Sequence, residues 1–223
     1  MQGLPQIGAI LDETYRIESL LGQGGFGAVY LAKQLSMDRS VAIKVLVAHA
    51  MNVEEMAERF RREVMAVRNL EHPNTIRVYD FRENENGILY YSMEYVRGET
   101  LKDMIAKDGR TPEKRDRHIL WQILKSLSEA HSHGIINRDL NPANIMLAEL
   151  HGETDYVKVV DFGIAKILDA PEEAEDAEPL TSAGVLVGTL QYMSPEQITG
   201  ADIGPYSDLY ALGLIGIEML AGK

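Results

Sequence analysis

The chain has 223 residues, of which 45% are hydrophobic and 25% charged, so it can bury a sizeable core and has the composition of an ordinary globular protein. Its net charge of -12 argues against nucleic-acid binding, which needs a basic face. The absence of cysteine excludes disulfides and thiolate metal sites. Residues 1–11 lack the features of a signal peptide, and the longest apolar stretch, 209–220, is too short to span a bilayer. We therefore expect a cytoplasmic chain without a membrane segment.

The first predicted elements are short β-strands between Tyr15 and Leu46, where apolar and polar residues alternate. A glycine-rich segment interrupts them, and its candidate nucleotide contacts are Leu21, Gly22, Gln23, Gly24, Gly25, Phe26, Gly27, Ala28 and Val29. Glycines let backbone N–H groups approach phosphate oxygens, because no Cβ obstructs them. Such hairpins are equally common without a ligand, so this segment alone leaves both interpretations open. A strand follows it at 29–33, whereas a dinucleotide-binding fold would continue as a helix.

A predicted strand at 41–46 places Ala42 and Lys44 on one face. If that face meets a nucleotide, Ala42 leaves room for adenine and Lys44 reaches the α- and β-phosphates. A lysine is rarely set among apolar residues unless it is paired. The predicted helix 53–70 supplies a candidate partner in Glu63, which borders its buried stripe. A solvated lysine and a surface acid are the alternatives.

The next long helix is predicted to begin at Thr111, which would supply a capping hydroxyl, and to end near Gly134. His131 and His133 lie near its end. With no further His or Cys grouped nearby, surface or packing roles are favoured over a metal site for these two histidines.

The most informative segment is 135–144, Ile-Ile-Asn-Arg-Asp-Leu-Asn-Pro-Ala-Asn, followed by Asp-Phe-Gly at 161–163. It sets the carboxylate of Asp139, the carboxamide of Asn144 and the carboxylate of Asp161 at defined spacings. Phosphoryl transfer from ATP needs such a set. One acid orients or deprotonates the attacking hydroxyl, and an Asn and an Asp hold the metal ions that neutralise the phosphates. Each residue alone could be a turn former, but the combined spacing favours a phosphotransfer site.

Together these segments resemble the protein kinases, in particular the bacterial Ser/Thr kinases. The resemblance covers 15–223 and includes the segment Gly-Thr-Leu-Gln-Tyr-Met-Ser-Pro-Glu at 188–196. It implies an α+β, bilobed protein-kinase-like fold, with a small antiparallel β lobe carrying one key helix and a mainly helical large lobe. The implied divisions are an N-terminal extension at 1–14, an N-lobe at 15–93, a hinge at 94–100 and a C-lobe at 101–223 that is incomplete at its C-terminal side.

The resemblance implies transfer of the ATP γ-phosphoryl group to Ser/Thr hydroxyls of proteins, with Mg²⁺ as the metal. Asp139 would act on the substrate hydroxyl, and Lys44, paired with Glu63, would contact the phosphates. Asn144 and Asp161 would ligate the metal. Further nucleotide contacts would come from Ala42, Glu94, Val96 and Met146.

The same resemblance assigns regulatory roles. Arg138 would pair with a phosphorylated activation segment, in which Thr181 and Ser182 are the candidate phosphorylation sites. Thr189 would hydrogen-bond near Asp139 and favour Ser/Thr over Tyr acceptors. Expected partners are protein substrates and, for autophosphorylation, a second copy of the chain.

Two positions depart from the usual His-Arg-Asp-Leu-Lys-Pro-x-Asn motif: Asn137 replaces His and Asn141 replaces Lys. Asn137 should loosen the packing beneath Phe162. The lysine normally contacts the γ-phosphate, and losing one preorganised contact costs about 10²–10³ in rate, although the amide of Asn141 can still donate a hydrogen bond. A second hypothesis is therefore a weak or inactive pseudokinase that binds nucleotide and acts as an interaction module. A third, a small-molecule phosphotransferase, is disfavoured by Arg138 and the segment 188–196.

Two features near the C-terminal side remain. Residues 169–179 hold six acids and no base, which indicates a solvated flap or an acid that mimics phosphate by pairing with Arg138.

A last helix from Ser207 is apolar nearly all round, so it should be buried, and its Asp208 should anchor the catalytic-loop backbone. We therefore expect a fragment, or a partner that covers this helix. A membrane tether in a missing C-terminal region is left open.

Overall fold

The chain divides into two compact units, one formed by Met1–Asn69 with Arg77–Tyr95 and the other by Leu70–Ile76 with Val96–Lys223. The structure is a computed structural model, which describes residues 4–24, 27–46, 53–84, 87–150, 152–162 and 190–223. Within the helix at 53–68 the side chains described are those of residues 58, 61, 62 and 64–68.

The first unit contains a six-stranded antiparallel sheet with the strand order β1-β2-β3-β4-β6-β5. Its strands are β1 Ile10–Leu11, β2 Tyr15–Gly24, β3 Gly27–Gln34, β4 Arg39–Leu46, β5 Val78–Glu83 and β6 Leu89–Glu94. Strands β2 and β3 pair up to Gly24 opposite Gly27. The predicted strand–glycine loop–strand arrangement is therefore confirmed.

One face of this sheet carries the core of the first unit. On β4 the residues of that core are Val41, Ile43 and Val45, each fully buried. Because side chains alternate along a strand, Ala42 and Lys44 lie on the opposite face, as predicted. The unit is completed by helix α1, Val53–Arg68.

The second unit is mainly helical and has a three-stranded antiparallel sheet, β7-β8-β9. Its helices are α2 Leu101–Asp108, α3 Glu113–Ser132, α4 Pro195–Thr199 and α5 Pro205–Ala221. Its strands are β7 Gly98–Thr100, β8 Ile145–Leu150 and β9 Glu153–Val159. Single 3₁₀ turns lie at Pro142–Asn144 and Leu190–Tyr192. Among the residues described, no helix is long and apolar enough to cross a membrane.

The start of helix α3, in the second unit, corrects one prediction. The N-cap is Pro112, which provides no side-chain cap, so the expected capping role of Thr111 is wrong. Thr111 lies one residue further out and is buried, and its hydroxyl donates to the carboxylate of Asp116 instead. The apolar stripe that includes Ile119 and Ile123 is fully buried, as the helical spacing predicted.

The segment Leu70–Ile76, which follows α1 in sequence, is anchored on α3. The Glu129 carboxylate accepts the backbone N–H groups of Glu71 and His72, both at 2.9 Å. Nearby, the Asn74 side-chain amide donates to Gln122 at 3.0 Å. These bonds explain why seven residues from between α1 and β5 belong to the second unit.

Candidate active site

The Asp139 side chain lies in a loop between α3 and the 3₁₀ turn, where two neighbouring amides hold it. The Asn144 Nδ2 donates to the Asp139 carbonyl at 2.9 Å and to its carboxylate Oδ2 at 3.1 Å. The Asn141 Nδ2 donates to the same carbonyl at 2.8 Å, with a longer contact of 3.4 Å to Oδ1. A carboxylate held in this way has a defined direction, which general-base catalysis requires.

Asn141 also caps the 3₁₀ turn that follows it. Its Oδ1 accepts the backbone N–H of Ala143 at 3.0 Å, and its backbone is extended, as expected of a cap before Pro142. Both ends of its carboxamide are therefore engaged inside the loop. Sequence reasoning missed this role, although Asn directly before Pro is a readable turn-start signal.

Asn137 connects the loop to the first residue of the Asp-Phe-Gly motif. It is fully buried, its Nδ2 donates to the Asp161 carbonyl at 2.7 Å, and its Oδ1 accepts the Asp139 N–H at 3.1 Å. Phe162 beside it is also buried. The asparagine therefore links the candidate base to a candidate metal ligand, a role that its small size did not suggest.

The predicted anchoring role of Asp208 is confirmed. Its carboxylate accepts the backbone N–H of Asn137 at 2.9 Å and that of Arg138 at 3.0 Å. The Nε2 of His131 lies 2.7 Å from the same carboxylate, so His131 has a packing role. A buried carboxylate is costly unless such partners satisfy it. Helix α5 therefore fixes the backbone of the loop that carries Asp139.

Arg138 has a strained backbone conformation, with φ of 62°. For a residue other than glycine this left-handed conformation costs about 1 kcal/mol, which the surrounding bonds must offset. Besides Asp208, Gln197 of α4 holds it by donating to its carbonyl at 2.9 Å. Its buried Nε has no hydrogen-bond partner among the described residues.

The candidate metal ligands fit a hard cation. Because Asn144 directs its Nδ2 to Asp139, its Oδ1 is the atom left for a metal ion. Together with the carboxylate of Asp161 this gives two oxygen donors, which suits Mg²⁺ that keeps waters and phosphate oxygens as its other ligands. No group of three or more His, Cys, Asp or Glu that could hold a metal occurs within the described ranges.

The described candidates of the glycine-rich segment, together with Ala42 and Lys44, lie on β2, β3 and β4. An added Cβ at Gly27 would lie 1.9 Å from the Val45 carbonyl oxygen, so close approach of β3 to β4 requires this glycine. At Gly22 and Gly24 an added Cβ would meet nothing within 4 Å, which leaves space beside the strand. Lys44 is half-buried and lies opposite Tyr91 of β6.

The remaining candidates lie on or near later elements. Glu94 is the last residue of β6, and its N–H donates to the Arg77 carbonyl at 2.9 Å. Val96 begins the long segment of the second unit, and Met146 lies on β8 opposite Thr100. Several predictions fall outside the described residues: Gly25, Phe26, the Glu63 side chain, Thr181, Ser182, Thr189 and the acidic run 169–179.

Comparison with known proteins identifies the family. Residues 15–223 match the protein kinase domain, and the chain belongs to that family. This also confirms the predicted α+β protein-kinase fold. In sequence the chain is similar to the serine/threonine-protein kinase pkn3 of Myxococcus xanthus, with 44% identity over 216 residues, and to PknA of Mycobacterium tuberculosis H37Rv, with 38% over 223.

These alignments cover 97% and 98% of this chain but only 39% and 49% of the two relatives, so the chain spans less than half of their length. In structure it is similar to the Mycobacterium tuberculosis PknI kinase domain. That match has a TM-score of 0.75 and 29% identity, and it covers 98% of this chain and 78% of the other. The predicted relation to bacterial Ser/Thr kinases is therefore confirmed.

Proposed function

We propose that this chain is the catalytic domain of an active Ser/Thr protein kinase. The observation that carries the proposal is that the Asn144 amide holds the Asp139 carboxylate at 3.1 Å, while the Asn141 amide holds the Asp139 carbonyl at 2.8 Å. A chain serving only as a scaffold would not need this carboxylate held in one direction.

In the proposed reaction the substrate hydroxyl oxygen forms a bond to the γ-phosphorus of ATP, and the bond from that phosphorus to the β–γ bridging oxygen breaks. ADP leaves, and the hydroxyl proton passes to Asp139 and then to solvent. Magnesium supplies the positive charge that neutralises the phosphates. Asn144 and Asp161 would hold it, and Lys44 would contact the phosphates.

By the same resemblance, Arg138, Thr181 and Ser182 regulate this activity and Thr189 selects the acceptor. The substrates would be proteins that carry Ser or Thr, and a second copy of the chain would serve in autophosphorylation. We place the reaction in the cytoplasm, and the hinge at 94–100 would join the two units.

The second candidate is a nucleotide-binding pseudokinase, and one observation favours it: Asn141 is engaged within the loop and carries no charge for the γ-phosphate. Thermal-shift titration with Mg-ATP, run beside a radiolabelled transfer assay, separates the two. An active kinase gives both stabilisation, which reaches about 2.7 kcal/mol at a ligand concentration 100 times Kd, and transfer to a protein substrate. Stabilisation without transfer selects the pseudokinase.

Two matched variants test the assigned roles. Asp139→Asn keeps the shape but removes the base, so transfer should fall by at least about 10²-fold while the Mg-ATP thermal shift remains. Asp161→Asn removes a metal ligand, so it should weaken the Mg²⁺-dependent part of the shift as well. Equal transfer by Asp139→Asn and the unmodified chain would rule out the proposed base.

A further inference from the structure

The outward face of α3 carries an exposed indole. Trp121 is the only tryptophan of the chain, and 59% of its surface is exposed. It lies two positions from the buried Ile119 and Ile123, and therefore about 200° around the helix from the core. An indole so placed makes no contribution to the core of its own unit, and large exposed aromatics are typical of binding surfaces.

Basic side chains surround this indole on the same face. We call Lys114, Arg117, His118, Trp121 and Lys125 the α3 stripe; all five are exposed and follow one another at helical spacing. The Lys125 ammonium lies 5.4 Å from the centre of the Trp121 ring. None of the three permanent cations forms a salt bridge with a described residue.

Two of the three acidic residues of α3 form hydrogen bonds to groups outside the stripe. Asp116 is buried against Thr111, and Glu129 binds the backbone of Glu71 and His72. Only Glu113, at the first position of the helix, is both exposed and close to the stripe in sequence. The stripe is therefore a basic surface on a chain whose net charge is -12.

We propose that the α3 stripe binds the acidic run 169–179 of a second copy of this chain. Charge complementarity carries the assignment, because the run holds six acids and no base. The span from Lys114 to Lys125 is about 16 Å along the helix, which five extended residues also cover. Residues 172–176 supply four of the acids within such a length.

Such docking is reciprocal, since each copy has both the stripe and the run. The run ends two residues before Thr181, so docking would bring candidate phosphorylation sites to another copy. Phosphorylation of one copy by another rests on the proposed kinase function. The binding of the run to the stripe does not rest on that function, because it is measured without ATP.

A synthetic peptide of residues 169–179 tests the contact, with Trp121 fluorescence and the anisotropy of a labelled peptide as readouts. We expect saturable binding to the full chain that weakens between about 50 mM and about 500 mM salt. Arg117→Glu with Lys125→Glu should raise Kd about tenfold, the effect of losing a few exposed ion pairs. Lys102→Glu, the same kind of charge reversal at one exposed residue of α2, should leave Kd unchanged. A peptide with amides in place of all six acids should not bind.

Sedimentation of the full chain at low salt tests the second copy. We expect self-association that is lost in Arg117→Glu/Lys125→Glu and is restored when that variant is mixed with a chain whose run carries Lys in place of its acids. A monomer that still binds the peptide overturns the assignment of a second copy. If substitution of Arg138 abolishes peptide binding and substitution of the stripe does not, the stripe is not the binding site. Co-sedimentation with vesicles containing phosphatidylserine, without peptide binding, would assign the stripe to a membrane and refute the proposal.

Discussion

At the scale of single residues, two asparagines of the catalytic loop have roles that follow from their contacts rather than from the motif positions they occupy. Asn137 links Asp161 to Asp139, and Asn141 caps the following turn while donating to Asp139. Both amides supply one donor and one acceptor, a combination that a lysine side chain lacks. The loop is therefore held by two uncharged amides in addition to the Asp208 carboxylate.

Replacing Asn141 by Lys separates the two requirements at this position. The variant gains a cation for the γ-phosphate, so single-turnover transfer should rise about 10²-fold, while loss of the cap should lower unfolding free energy by about 1 kcal/mol. Asn141→Ala is the control, because it loses the cap without gaining charge; its stability should fall similarly and its rate should not rise. A folded Asn141→Lys variant with a lower rate would show that the bond to Asp139 matters more than the cation.

At the scale of elements, the strands and helices with strong periodicity were predicted, and those with weak signals were not. The β2–β3 hairpin and α3 were both readable, since their buried residues recur every second or every third to fourth position. The β7-β8-β9 sheet was not among the predicted elements. Its strands are short, although the alternation of buried residues along β8, from Ile145 to Leu147, is a signal that could have revealed it.

The segment Leu70–Ile76 gives an element-scale prediction through His72. Burial lowers the pKa of His72 from 6.5; the charge of Glu129 opposes this shift, while Lys125 and Lys158 reinforce it. The neutral ring also accepts the Asn74 N–H through Nδ1 at 3.1 Å. The unfolded chain binds a proton at His72 more readily than the folded chain does. The neutral His72 ring therefore stabilises the fold above pH 6.5, and this stabilisation is lost as the pH falls below 6.5.

We therefore expect Tm to fall between about pH 7.5 and about pH 5.5, and to fall less in His72→Gln, which cannot titrate. Calorimetry of both chains across this range measures the difference. His133→Gln, at an exposed histidine, serves as the control for the replacement of an imidazole by an amide. If Tm changes with pH in the same way in His72→Gln and in the unmodified chain, His72 is not the source of the pH dependence.

At the scale of the whole molecule, the described chain leaves much of α5 uncovered. Its buried side includes Ile215 and Met219, both fully buried, while Leu209, Ile217 and Leu220 are 49%, 64% and 45% exposed. A contiguous apolar surface of this kind is uncommon on a monomeric protein and marks a place where another surface binds. The expectation that all of this helix would be buried is met on one side only.

The exposed side of α5 should bind a hydrophobic dye while the chain is folded. Leu209→Lys with Ile217→Lys should reduce the fluorescence of bound dye without lowering Tm, because both side chains already face solvent. Ile7→Lys with Met37→Lys, at residues of the first unit that are 67% and 63% exposed, is the matched control and should leave dye binding unchanged. A folded chain that binds no dye would contradict the conclusion that the exposed side of α5 is a contiguous apolar surface.

The sequence alone determined the family, the strand–glycine loop–strand arrangement and the residues expected to do the chemistry, since these depend on local spacing and periodicity. Tertiary structure decided how the catalytic loop is held. The partners of Asn137 include Asp161, 24 positions away, and Asp208, 71 positions away. No periodic pattern encodes contacts over such separations. They exist only because packing of α3 and α5 buries the loop, and buried polar groups must then find partners.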